Sequence, residues 1–149
     1  MQTSNPYEIS TDKSRLNVDL IFDFLCSSYW ARNIPRNVVE KFIQHSLCFG
    51  AFSDGQQIGF GRVVTDFTTF AYIADVFVVS EHRGRGVSKM LLRAMLEHPD
   101  LQGLRRILLA TQDAHGLYAQ FGFQPLANAE HYMTIHNPDV YRNTGAPKE

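Results

Sequence analysis

The sequence predicts an α/β fold in which a mixed sheet carries helices on both faces. Three observations lead there. Apolar residues recur at helical spacing at Val18, Ile21, Phe22 and Leu25, and again at Val38, Val39, Phe42 and Ile43. Between residues 47 and 65 the pattern turns to strands around Asp54-Gly55, a pair suited to a tight hairpin turn. A further strand over 70–79 then leads through a helical stretch to a strand over 106–110, the order of a βαβ unit with a right-handed parallel crossover.

Taken in order, residues 7–10 read as a short edge strand, and the first helix follows from Val18. Pro35 suits the start of the second helix, which ends near Ser46. The link between the two, residues 27–34, carries Tyr29 and Trp30. The hairpin runs over 47–52 and 58–65. Residues 70–79 are apolar on both faces, as in a strand inside a sheet, and simple alternation puts Asp75 on one face with Ala71, Ile73, Phe77 and Val79. From Ser88 the helical period returns at Leu91, Leu92, Met95 and Leu96 and stops at His98-Pro99, because proline forbids continuation. Asp113 is placed to cap a last helix running through Phe121 and ended by Gly122, and residues 132–135 read as a final strand.

The 149 residues predict one domain, 1–149, large enough to bury roughly 70% of its extended surface. With 44% hydrophobic and 19% charged residues, the composition excludes a disordered or collagen-like chain. A formal net charge of −1 offers no field for a polyanion, so nucleic acid is not an expected partner and any anion site must be local. No apolar run is long enough to cross a bilayer, and the first ten residues lack the pattern of a secretory signal, so the expectation is a cytoplasmic protein without a membrane partner. Cys26 and Cys48 sit in apolar patterns outside any Cys/His cluster. They are expected to be buried free thiols, with no metal site.

The most informative segment is residues 76–89, Val-Phe-Val-Val-Ser-Glu-His-Arg-Gly-Arg-Gly-Val-Ser-Lys, a buried strand that empties through glycines into a helix start. The first turn of a helix leaves N–H groups unpaired and carries partial positive charge, so it attracts an anion. Arg83, Arg85 and Lys89 add charge, and a phosphate or pyrophosphate is expected across Gly84, Arg85, Gly86, Val87 and Ser88. The spacing is not a Walker loop, and the third glycine and the acidic residue of a dinucleotide fingerprint are missing. What remains is Arg83-x-x-Gly86-x-Ser88. This resembles the acetyl-CoA signature of the GCN5-related N-acetyltransferase (GNAT) superfamily, Gln/Arg-x-x-Gly-x-Gly/Ala. A second segment, Leu117-Tyr118-Ala119-Gln120-Phe121-Gly122-Phe123, is similar to that superfamily's LY…GF stretch.

The resemblance implies a mostly antiparallel sheet that splays beside its central strand, where the pantetheine arm of acetyl-CoA pairs with the backbone of Val76, Phe77 and Val78. It implies acetyl-CoA as co-substrate, an amine acceptor, and Tyr118 as the general acid that protonates the departing thiolate. It also implies that Tyr29 and Trp30, with Arg62 or Asp66, line the acceptor pocket, and that two chains pair, since homodimers are common in the family. Two departures stand out. Ser88 replaces the usual glycine or alanine, and Thr111 replaces an asparagine found in many members ahead of the last helix.

Acyl transfer to an amine with a pKa of about 10.4 needs a route for its proton, since only about one molecule in 10³ is neutral at pH 7. Asp75 on its apolar strand is either that base or the partner of Arg62 or of a neighbouring loop. His115, one turn before Tyr118, either relays protons or solvates its face. The expected activity is acetylation of a primary amine of a small molecule. A protein or peptide amine, a non-catalytic acyl-CoA-binding module and a phosphate-binding domain for another nucleotide are the rival readings.

Overall fold

A computed structural model describes residues 5–142. Five strands, β1 (Tyr7–Ser10), β2 (Leu47–Ser53), β3 (Gln56–Thr65), β4 (Phe70–Val78) and β5 (Arg106–Leu109), form one open sheet in the order β1-β2-β3-β4-β5. All neighbours are antiparallel except β4 and β5, which are parallel and joined through a helix. No helix among the described residues is long and apolar enough to cross a membrane.

Helices α1 (Val18–Cys26) and α2 (Arg36–His45) cover one face of the sheet. The side chain of Asn17 caps α1 by accepting from the Leu20 N–H at 3.1 Å, and Pro35 precedes the first residue of α2. Ile21, Leu25, Val39 and Ile43 from these helices bury against Cys48, Phe60 and Phe77. On the opposite face α3 (Val87–Glu97) places Val87, Leu91, Leu92 and Met95 against Phe49, Val63 and Ile73. Burying each of those side chains contributes roughly 1.5–3 kcal/mol. Pro99 ends α3, and the Gln102 side chain donates to the freed carbonyls of Leu96 and His98 at 2.8 and 3.0 Å. The expected hairpin turn is present, with Asp54 at φ +50° and Gly55 at +78°.

Two expectations need correction. The last helix, α4 (His115–Ala119), is shorter than expected and Asp113 does not cap it; the adjoining turn is held by Thr111, whose Oγ1 accepts from the Ala114 N–H at 3.0 Å. Residues 132–135 are not in the sheet. They run exposed after a short 3₁₀ turn at Ala129–His131, and their backbone groups make no ladder with any strand among the described residues.

The ladder between β4 and β5 stops at Ile73 and Leu109, while β4 continues to Val78 beside β3 alone. The sheet is therefore splayed, and the split lies on the α4 side of β4.

Candidate active site

The backbone of β4 is bent at the split. Phe60 pairs with Phe77 and Arg62 with Ala74, so Asp75 and Val76 together oppose the single residue Gly61. This is a β-bulge, with Asp75 at φ +56°, a left-handed conformation that a short polar side chain tolerates. Gly61 lies in close approach: a Cβ there would lie 2.4 Å from Met95 Cε and 3.3 Å from Val76 Cγ2, so the end of the Met95 side chain would have to move.

The extra residue reverses the faces beyond it. Ala71 and Ile73 pack on the α3 side, whereas Phe77 turns to the α1 and α2 side and Val78 takes the α3 side. The face that alternation assigned to Ala71, Ile73, Asp75, Phe77 and Val79 together does not exist. Phe77 instead stacks on Phe24, centroids 4.0 Å apart. Asp75 points toward α1, where its Oδ2 accepts from Arg62 Nε at 2.5 Å and its Oδ1 from Trp30 Nε1 at 2.8 Å. Both structural partners expected for this carboxylate are present, Arg62 through the ion pair and the neighbouring 27–34 link through Trp30. Arg62 also donates to Ser46 Oγ at 3.2 Å and lies 4.1 Å over the Phe42 ring, so both charges are held from several directions.

Around this pair lies an open cleft of about 590 Å³. Tyr29, Trp30, Asp75, Val76 and Tyr118, all singled out from the sequence, border it together, and so do Tyr72 and Asp113. Tyr72 carries no local motif, and Asp113 looked like a helix cap; only the tertiary arrangement brings them here. Asp66 is not at the cleft. Its carboxylate accepts from the N–H groups of Thr68, Thr69 and Phe70 and from the Thr69 hydroxyl, which ties the β3–β4 turn and holds its pKa below the ordinary carboxylate range. His115 borders a neighbouring groove instead.

Tyr118 is half-buried on α4, its ring edge-on to Phe123. Burial pushes its phenol above the ordinary tyrosine value, and Tyr29 and Asp113 nearby act in the same direction. It is therefore a protonated donor at neutral pH, and its hydroxyl makes no hydrogen bond among the described residues.

At the other end of the split, Gly84 and Gly86 stand at φ +78° and +82°, and Gly86 caps α3. A Cβ on either would meet no atom within 4 Å, so glycine is needed here for its conformation, not for space. The N–H groups of Arg85, Gly86, Val87, Ser88 and Lys89 donate to no acceptor among the described residues. Arg83 is tethered, its Nε donating to the Val78 carbonyl at 3.0 Å, and Arg85 reaches the Tyr7 hydroxyl at 3.4 Å. The Val79 N–H donates to Ile58 on β3, so the pleat turns the backbone groups of Val78, and of Val76 two residues earlier, toward the split, while those of Phe77 face β3.

An opened strand edge, a loop of free amides and a half-buried phenol thus lie along one split. The acetyltransferase (GNAT) family pattern matches residues 18–123. The chain belongs to the GNAT family. It is 31% identical over 141 residues to the candidate acetyltransferase FG08082 of Gibberella zeae, covering 79% of this chain and 78% of that one. A GNAT-family protein of Xanthomonas campestris pv. campestris shares 52% identity at a TM-score of 0.89, over 91% of this chain and 96% of that one. A candidate acetyltransferase from Clostridium acetobutylicum, solved with acetyl-CoA, shares the GNAT fold at 15% identity and a TM-score of 0.66, over 87% and 94% of the two chains.

Proposed function

We propose that this GNAT protein transfers an acetyl group from acetyl-CoA to a primary amine of a small molecule, by direct attack. The observation that carries the reading is the convergence of the opened β4 edge, the free amides at the start of α3 and Tyr118 along one split. The diphosphate of coenzyme A suits the N–H groups of residues 84–88, with Arg83, Arg85 and Lys89 around them. The pantetheine amides suit the turned-out backbone of Val76 and Val78, in the manner of an added strand. The Clostridium protein, of the same fold, binds that ligand.

The amine nitrogen attacks the thioester carbonyl carbon, the C–S bond breaks, and the sulfur takes the Tyr118 proton. A thiolate whose thiol has an ordinary pKa near 8.5 receives a proton from a phenol only when the two are held together, and in this reading Tyr118 on α4 lies against the departing sulfur. The proton of the amine passes to solvent in the open cleft, and the Tyr118 phenolate is reprotonated from that solvent, which restores the acid. Asp75 acts in this reading as the anchor that fixes Trp30 and Arg62 in the acceptor wall. Tyr29, Trp30 and Tyr72 present aromatic faces, and Asp113 adds a carboxylate, a lining suited to a cationic amine before it loses its proton.

The test is thiol release from acetyl-CoA across a panel of small amines and peptides, followed by mass spectrometry of the product. Turnover with small amines supports the reading. Binding of acetyl-CoA without turnover identifies a binding module, and turnover with peptides alone identifies a protein acetyltransferase.

A further inference from the structure

Tyr7 opens β1, the strand at the sheet edge opposite the split. Its ring is 8% exposed and packs in the core on the α3 side. The hydroxyl leaves that core at the loop between β4 and α3. His82 Nδ1 lies 2.9 Å from it, and Arg85 Nη1 donates to it over a longer 3.4 Å. Arginine can only donate, so the hydroxyl accepts from Arg85 and keeps its own proton free for His82. The His82 ring stands edge-on to the Tyr7 ring, centroids 5.6 Å apart. The start of β1 is pinned in turn: Asn5 Oδ1 accepts from the Tyr7 N–H at 2.9 Å, and Asn5 Nδ2 lies 3.6 Å from Met90 Sδ on α3.

A phenylalanine would fill the same apolar place, and the only partners of the hydroxyl among the described residues belong to the loop. What it holds there is the residue between two left-handed glycines, Gly84 and Gly86. Glycine permits many backbone conformations, so Arg85 wanders unless something outside the loop fixes it. The charge of Arg85 is also uncommitted. Arg15, Arg36 and Arg62 each pair with a carboxylate, whereas Arg83 and Arg85 form no ion pair among the described residues and bond to neutral oxygens. A guanidinium held by a neutral oxygen keeps its charge and its other N–H groups for an anion.

We propose that Tyr7 is a positioning residue for the coenzyme: its hydroxyl, braced by His82, holds the Arg85 guanidinium at the amide loop, so that the charge is in place before the diphosphate arrives. The inference rests on the acetyl-CoA reading above. Tyr7 acts through Arg85 and meets neither coenzyme nor acceptor. A long side chain that must be ordered as the ligand binds weakens binding, and one ordered beforehand avoids that loss. Removing the hydroxyl is expected to weaken acetyl-CoA binding about threefold to tenfold, the effect of one ordinary hydrogen bond.

The test is calorimetric titration of acetyl-CoA into the wild-type chain, Tyr7→Phe, Arg85→Ala and the double variant. Phenylalanine keeps the buried ring and Arg85 is exposed, so the fold is retained, which melting temperatures verify. The proposal requires that Tyr7→Phe weaken binding about threefold to tenfold where Arg85 is present, and less than about twofold where it is alanine. A role in the packing of β1 alone would not make the loss depend on Arg85. Unchanged affinity in Tyr7→Phe overturns the proposal. The same loss in both backgrounds overturns it as well, since Tyr7 then acts on the loop as a whole. A wild-type chain that takes up no acetyl-CoA refutes the coenzyme reading itself, and this inference with it.

Discussion

Asp75 and Arg62 lie on neighbouring strands, and the carboxylate accepts from the Arg62 Nε at 2.5 Å from within a β-bulge that turns its backbone to φ +56°. The bulge faces Asp75 toward Arg62 and Trp30, and it also turns β4 away from β3's regular register where the sheet splits. One local irregularity thus sets both the cleft wall at Trp30 and Arg62 and the side to which the backbone of Val76 and Val78 turns.

Replacing Asp75 by alanine leaves Arg62, whose side chain is 20% exposed, without its counter-charge. The expected loss of stability is about 3 kcal/mol, the lower end for breaking a buried pair. Asp75→Asn keeps a hydrogen-bond acceptor for Trp30 and a residue tolerant of the left-handed conformation, so it is expected to lose less. Urea denaturation of the two variants checks the order; equal losses would mean that the charge does not matter.

Tyr118→Phe removes one oxygen and leaves the ring against Phe123. The expected result is a fall in kcat of roughly 10²–10³ with little change in KM for acetyl-CoA, as for a lost general acid. Activity within threefold of wild type would remove Tyr118 from the mechanism.

The pH dependence follows from the upward shift of that phenol. In the proposed mechanism Tyr118 works in its protonated form, and a raised pKa extends that form upward, so its deprotonation is expected to cut activity only above the ordinary value of about 10. The kcat profile is expected to rise or stay level from pH 7 to about 9.5 as the acceptor amine loses its proton. A decline with an apparent pKa below 9, absent from Tyr118→Phe, would contradict the shift.

At the phosphate loop, Gly86→Ala forces a side chain into the left-handed region at a cost of about 1–2 kcal/mol. Because the Cβ meets no neighbour, the effect is conformational, and it is expected to appear both in thermal stability and in weaker acetyl-CoA binding. Arg83→Ala is expected to weaken binding about tenfold or more, the loss of one charge-assisted contact to the ligand, and to lower stability as well, because its bond to the Val78 carbonyl goes with it. Calorimetric titration separates the two; unchanged affinity in both would refute the loop assignment.

Asp66 provides an acid-sensitivity test far from the cleft. Its folded pKa is depressed, so the stabilisation it contributes is complete above its ordinary value near 3.8 and is lost as pH falls toward the folded value. Melting temperatures of wild type and Asp66→Ala are expected to keep a constant difference down to about pH 4 and to converge as pH falls further toward about 2, and a difference that stays constant throughout would show that the hydrogen bonds of the β3–β4 turn are independent of the charge.

Much of this was legible in the chain because the signals are local. The helical stripes at Val18–Cys26 and Arg36–His45, the Asp54-Gly55 turn and the glycine loop before α3 depend on residues within a few positions of one another. Tyr118 and the Arg83-x-x-Gly86 pattern were found the same way, through a resemblance carried by short motifs. Trp30 was marked as an acceptor-wall residue, but its bond to Asp75 joins positions 45 residues apart and has no signature in either segment.

By itself the sequence determined β1 to β5, the helices α1 to α3, their order, the glycine loop before α3 and the resemblance to the family, since periodicity, turn chemistry and motif spacing act over short stretches. The tertiary structure alone decided which way Asp75 and Phe77 face, because an extra residue in β4 is visible only against Gly61 on the neighbouring strand. It also decided that residues 132–135, strand-like in pattern, stay outside the sheet of their own chain. A strand exists only when its backbone groups find an edge, and those of residues 132–135 pair with none among the described residues.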